Sequence, residues 1–104
     1  MRLRNNQLRH YKFYRRTVTR DKEGNRITSY DYHSDIRADI HPISGQLEAT
    51  MYGEKLRYML EMIYSGSMDI SEGDGIAVDA DTADYKVISI KRYRDYKVME
   101  LERL

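Results

Sequence analysis

Alternation of apolar and polar residues is the dominant pattern along this chain. Ile36, Ala38 and Ile40 take one side of a run whose other side is Arg37, Asp39 and His41. That two-residue period is the mark of a strand with one buried and one wet face. Pro42 has no N–H to donate to a ladder, so it ends the strand or sits at a sheet edge. Upstream, Leu8 to Thr19 is rich in aromatic and β-branched residues (Tyr11, Phe13, Tyr14, Thr17, Val18, Thr19) and reads as another strand. Asp21-Lys22-Glu23-Gly24 places Asp first and Gly last, as a type I turn requires. A new run begins at Arg26, which makes a hairpin with a four- to five-residue loop. The second strand is either one long strand or is broken near His33-Ser34.

Residues 46–64 fit two patterns. Leu47, Met51, Leu56, Met59, Leu60 and Ile63 follow a helical stripe, whereas Leu56, Tyr58, Leu60, Met62 and Tyr64 keep a period of two. Gly53 inside a helix would cost about 1 kcal/mol relative to alanine. The segment therefore reads as a loop or short helix over Gln46–Tyr52, then a strand over Leu56–Tyr64. Gly66 and Gly73-Asp74-Gly75 punctuate the next loop. Ile76-Ala77-Val78, Tyr85–Ile90 and Tyr96–Leu101 complete the strands. The expected fold is a mostly β single domain: a small antiparallel β-barrel or sandwich of about six strands with a long projecting loop. Its expected core is Phe13, Val18, Ile36, Ala38, Ile40, Tyr58, Leu60, Met62, Ile76, Val78, Val87, Ile88, Ile90 and Val98.

With 104 residues the chain has room for one modest core. Ten tyrosines stand against one phenylalanine and no tryptophan, which suits half-buried strands whose hydroxyls stay wet. The absence of cysteine removes disulfide and thiolate chemistry. No apolar run approaches the roughly 20 residues of a membrane helix, and Met1–Asn6 carries no secretory h-region. The net charge of +1 conceals an asymmetry: residues 1–26 hold nine Lys/Arg and two acids, whereas residues 27–104 hold nine Lys/Arg and fifteen acids. A positive end and a negative body suit head-to-tail pairing with copies of the same chain.

Candidate chemistry is sparse. His10, His33 and His41 show no metal-ligand spacing, and no cysteine can complete a zinc site. The acids from Asp69 to Asp84 have no intervening Lys or Arg. Within them Asp79-Ala80-Asp81-Thr82-Ala83-Asp84 resembles a calcium loop but lacks its turn glycine and terminal glutamate; acidic turns between strands explain it. Gly73-Asp74-Gly75 is too short and too acidic to cradle a phosphate. No enzyme constellation emerges, and no cofactor, metal or small-molecule substrate is expected. Arg2, Arg4, Arg9, Lys12, Arg15 and Arg16 form a basic face suited to DNA or an acidic protein surface. Interleaved with Tyr11, Phe13 and Tyr14, they offer an alternative reading: a small barrel that binds single-stranded nucleic acid by stacking bases. Lys91-Arg92-Tyr93-Arg94-Asp95-Tyr96-Lys97 would add to it.

The order of these features resembles the head–tail joining (head-completion or stopper) proteins of tailed phages and prophages. The likeness runs from about Leu8 to Glu102. It rests on the basic strand ending in Val18-Thr19-Arg20-Asp21-Lys22-Glu23-Gly24, and on Ala38-Asp39-Ile40-His41-Pro42-Ile43-Ser44-Gly45. The strand Leu56–Tyr64, the Gly73-Asp74 turn and Tyr85-Lys86-Val87 follow in order. The chain departs from the pattern at the polar Tyr52-Gly53-Glu54-Lys55, where the family often continues an apolar repeat.

The resemblance implies a structural protein that is monomeric when free. It would assemble as a ring, typically dodecameric, beneath the portal and adaptor. There it would close the channel through which double-stranded DNA passes and present a surface to tail proteins. It would reside in the bacterial cytoplasm during assembly and then in the virion, with no membrane partner. The loop carried over is Ile43, Ser44, Gly45, Gln46, Leu47, Glu48, Met51, Tyr52, Gly53, Glu54 and Lys55. Asp69, Glu72, Asp74, Asp79 and Asp81 are the expected acidic face toward a neighbouring subunit, and residues 1–7 a flexible basic arm.

Overall fold

The computed structural model describes residues 8–43 and 59–104. They form six strands: β1 (Arg9–Arg20), β2 (Arg26–Pro42), β3 (Met59–Tyr64), β4 (Gly75–Ala77), β5 (Tyr85–Arg92) and β6 (Lys97–Arg103). All pair antiparallel in a closed barrel of order β1-β2-β3-β6-β5-β4, with β4 returning to β1. Closure leaves no free edge around the wall itself. Among the described residues no helix is long and apolar enough to cross a membrane.

The register explains which side chains fill the barrel. Ile40 lies opposite Met62, Met62 opposite Met99, and Met99 opposite Ile90. This row points inward. One residue on, His41, Glu61, Glu100 and Ser89 make the neighbouring row on the outer face. His41 Nε2 lies 2.7 Å from Glu61 Oε2, and the Ser89 hydroxyl donates to Glu100 Oε1 at 2.8 Å. The interior is closed by Phe13, Ile36, Ala38, Tyr64, Ile70, Ile76, Tyr85, Val87 and Leu101 around the two methionines.

The expected core is corrected at Val18, which is 40% exposed. The alternation of β1 continues past the end of the wall, so an apolar residue in strand phase meets solvent. Tyr58 lies outside the described residues. Ile40, Leu60, Val78 and Ile90 pack against the core from partly buried positions. Ile70, on the loop between β3 and β4, is fully buried although no strand pattern marks it. The last strand presents Met99 and Leu101 inward rather than Val98.

The second strand is both long and interrupted. Phe13 pairs with Ser34 and Tyr14 with Tyr32, so His33 is an extra residue on β2. Such a bulge bends the strand and increases its twist. The His33 ring packs edge-on to Phe13, with centroids 5.7 Å apart. The radius of gyration is 14.5 Å and the extents are 48 × 32 × 26 Å. A compact domain of this length would have a radius of about 13 Å, and the excess fits a part of β1 and β2 that leaves the barrel.

Candidate functional site: a projecting ribbon

β1 meets β4 only through Lys12, Phe13 and Tyr14. β2 meets β3 only from Asp39 to Pro42. Between these limits Arg15–Arg20 and Arg26–Asp31 pair with each other and with no other strand among the described residues. They form a two-stranded ribbon about 20 Å long at ~3.4 Å per residue. It is exposed on both faces, with Val18 at 40% and Ile27 at 46%.

The tip is built by Asp21. Its carboxylate accepts the N–H groups of Glu23 (3.0 Å) and Asn25 (2.8 Å) and the Asn25 side-chain amide (3.3 Å). Gly24, at φ +83°, donates to the Asp21 carbonyl at 3.1 Å. This is a type I turn followed by a left-handed glycine, a common way to join two twisted strands. The Arg20 guanidinium closes over it onto the Gly24 carbonyl at 3.1 Å.

The Asn25 N–H, above all, holds the Asp21 carboxyl below the ordinary carboxylate range. A depressed folded-state pKa stabilises the turn above the unfolded-state value, and the contribution is lost as pH falls through the folded value. Amide protection of Glu23 and Asn25 should therefore hold from pH 7 to about pH 5 and decline below about pH 4. In Asp21→Asn the same protection should not vary with pH. Hydrogen exchange read as protection factors checks both.

Cross-strand partners share a face, and the two faces differ. One carries Arg15 with Asp31, Thr17 with Ser29, and Thr19 with Ile27. Thr17 Oγ1 lies 2.7 Å from Ser29 Oγ and donates to Asp31 Oδ2 at 3.2 Å. The other carries Tyr14 with Tyr32, Arg16 with Tyr30, Val18 with Thr28, and Arg20 with Arg26. That face holds three arginines and no acid, and two of the arginines stand directly opposite each other. Like charges in such a pair repel, so this face of the ribbon is positive, beside a tip turn that carries Asp21, Lys22 and Glu23.

The root of the ribbon is tied to the barrel by Asp74, which is 3% exposed. Oδ2 accepts from the Arg15 guanidinium at 3.0 Å and from the Ser71 N–H at 2.9 Å; Oδ1 accepts the Arg16 N–H at 3.1 Å. The Asp74 carbonyl takes the Val87 N–H at 2.9 Å, and Gly73 donates to the Val87 carbonyl at 2.7 Å. Arg15 also reaches the Asp69 carbonyl at 2.9 Å and lies over the Phe13 ring, 5.0 Å from its centroid. Gly73 has φ +95°, and a Cβ there would stand 2.6 Å from the Arg16 guanidinium carbon. Glycine thus permits both the turn and the close passage of Arg16.

Arg15 and Asp74, expected on opposite faces toward different subunits, therefore meet inside one chain. Arg9, Lys12 and Arg16 are exposed along β1, as are Asp69, Glu72, Asp79 and Asp81 on their loops. Asp84 caps its own turn, accepting the Val78 and Asp79 N–H groups at 2.7 and 2.9 Å. Tyr14 donates its hydroxyl to the Asp81 carbonyl at 2.8 Å, which folds the acidic loop against the ribbon root. Ile43 is buried. Arg2, Arg4 and the loop positions 44–55 lie outside the described residues.

The base-stacking expectation for β1 is corrected. Phe13 is fully buried, Tyr14 is buried, and Tyr11 packs against the core. Phe13 and Tyr11 turn toward the barrel interior, whereas Tyr14, on the outer face, is covered by the Asp81 loop and by the edge of the Tyr32 ring. Among the described residues no group of three His, Asp or Glu is placed to hold a metal ion. Tyr93 and Tyr96 were expected only as part of the basic run Lys91–Lys97, and their pairing was not. Their rings stack at 4.9 Å and 15° across the β5–β6 turn. Two tyrosines flanking a two-residue turn were a usable signal for such a pair.

No family model matches the chain, and no curated protein matches it. Among solved structures it is similar to the solution structure of protein SF1141 from Shigella flexneri 2a. The TM-score is 0.64 at 16% identity, over 97% of this chain and 96% of that one. The likeness is one of fold, extending over nearly the whole of both chains.

Proposed function

We propose that this chain is a structural subunit of the head–tail connector of a tailed phage or prophage. In this reading it assembles as a ring under the portal or adaptor, closes the DNA channel and offers the tail an attachment surface. One observation supports it most: a small closed barrel extends a ribbon about 20 Å long that beyond its Asp74-tied root pairs with no other strand among the described residues and is exposed on both faces. Unpaired strand edges attract other strands. A ring needs one surface that fits a different surface of its neighbour. The arginine-bearing face of the ribbon is one such surface, and the exposed Asp69, Glu72, Asp79 and Asp81 remain available as the other. Asp74, consumed by Arg15, leaves the set. The single-stranded nucleic-acid barrel, as built on Tyr11, Phe13 and Tyr14, loses its stacking platform to the core.

The test is mass and shape in solution, by light scattering and negative-stain microscopy, with and without capsids carrying a portal. The expected result is a free monomer that becomes a ring at the capsid vertex. A chain that ignores portal-bearing capsids, filled or empty, would overturn the proposal.

A further inference from the structure

A second surface, independent of the ring reading, stands where β5 turns into β6. Tyr93 donates its N–H to the Tyr96 carbonyl at 2.9 Å, which closes a turn with Arg94 and Asp95 at its tip. The closing pair stacks its rings, yet Tyr93 remains 52% exposed. Cross-strand stacking alone would explain the pair as a hairpin clasp. It does not explain the surroundings. The pair lines an open cleft of about 190 Å³ with Tyr64, Ser65 and Gly66. Arg94 and Lys97 line the same cleft as the stack, with the single acid Asp95, and Lys91 and Arg92 precede it in the chain.

The register places this cleft in the fold. β3 runs parallel to β1, and β6 begins where β3 ends, with Tyr64 opposite Lys97. The cleft is therefore at the end of the barrel from which the ribbon leaves. Cations around a wet aromatic face match the chemistry of an unpaired nucleotide: the base extends the stack and the phosphate meets the cations. We propose that the β5–β6 turn is a contact site for single-stranded nucleic acid, with a base on Tyr93 and the adjoining phosphate between Arg94 and Lys97.

The test is fluorescence anisotropy with a labelled ten-nucleotide oligothymidylate and a ten-base-pair duplex as competitor, titrated over salt. Tyr93→Ala should weaken binding by roughly 5- to 140-fold, the range for a base–aromatic stack of about 1–3 kcal/mol, and Tyr93→Phe should restore it. Arg94→Ala with Lys97→Ala should weaken binding and flatten its salt dependence. The duplex should compete poorly. Circular dichroism on each variant guards against misfolding, and the phenylalanine variant keeps the test decisive if the alanine variant unfolds. No binding at low salt, or binding that Tyr93→Ala leaves unchanged, or equal competition by the duplex, would each overturn the proposal. The capsid experiment reads a different surface and would stand or fall separately.

Discussion

A chain whose ribbon is cut back, with Val18–Thr28 replaced by Asn-Gly, should fold as a barrel and fail to form a ring on portal-bearing capsids. The excised residues contribute no member of the core cluster. The Arg16 N–H turns away from β2 toward Asp74, so Thr17 and Ser29 form the next hydrogen-bonded pair. A two-residue Asn-Gly loop closes such a pair with the required twist. The thermal midpoint should move by only a few degrees, because exposed positions rarely count for more than about 0.5 kcal/mol each. Assembly should be abolished, since the arm and its arginine face are gone. Electron microscopy of capsids mixed with the truncated chain checks this. Rings of the truncated chain would show that the ribbon is not the assembly arm. Loss of the fold would show that it is a structural strand pair instead.

Asp74→Ala should be the most damaging single substitution outside the apolar core, at about 3 kcal/mol. Removing one partner of a buried ion pair costs roughly 3–5 kcal/mol when the other charge stays buried. Here the Arg15 side chain is 36% exposed, so water screens part of that loss. Against this, the N–H groups of Ser71 and Arg16 lose their acceptor, and each orphaned donor costs about 1–3 kcal/mol when water cannot reach it. Arg15→Ala should cost less, about 2 kcal/mol: it leaves the Asp74 carboxylate, 5% exposed, without its cation, but the carboxylate keeps both N–H donors. Asp74→Asn should fall between, retaining an oxygen but not the charge. Urea titration of the three variants gives the order directly. Equal costs for Arg15→Ala and Asp74→Ala would mean that the ion pair, not the bonds from the backbone N–H donors, holds the root.

Much of the architecture was legible in the sequence, for local reasons. Alternation marked β1, β2 and the later strands, and Asp21 with Gly24 marked the turn that joins the first two. The closing order β3-β6-β5-β4 was not legible, since it depends on pairings between distant segments. Val18 shows the limit most clearly. Its phase in β1 is that of a strand residue throughout, but nothing in its neighbourhood states that β4 is only three residues long and stops at Tyr14. Charge bookkeeping failed at Asp74 for the same reason. A sum over residues 69–84 cannot see Arg15, which the fold brings to 3.0 Å. Ile70 was missed because a loop residue has no periodicity to betray its burial.

The extra residue at His33 has a consequence for how such a chain can change over time. On β2 the even-numbered positions from Ser34 to Ile40 belong to the barrel interior, whereas the even-numbered positions from Arg26 to Tyr32 belong to the outer face. The bulge is thus a frame shift between two independent reading frames in one strand. Below it, composition is constrained by a packed interior; above it, by whatever the ribbon meets. Cross-strand pairs can be gained or lost above His33 in steps of about 3.4 Å without moving a single core residue to the wrong side. Arm length and arm chemistry are therefore modular, and a lineage could retune its partner while inheriting the barrel unchanged.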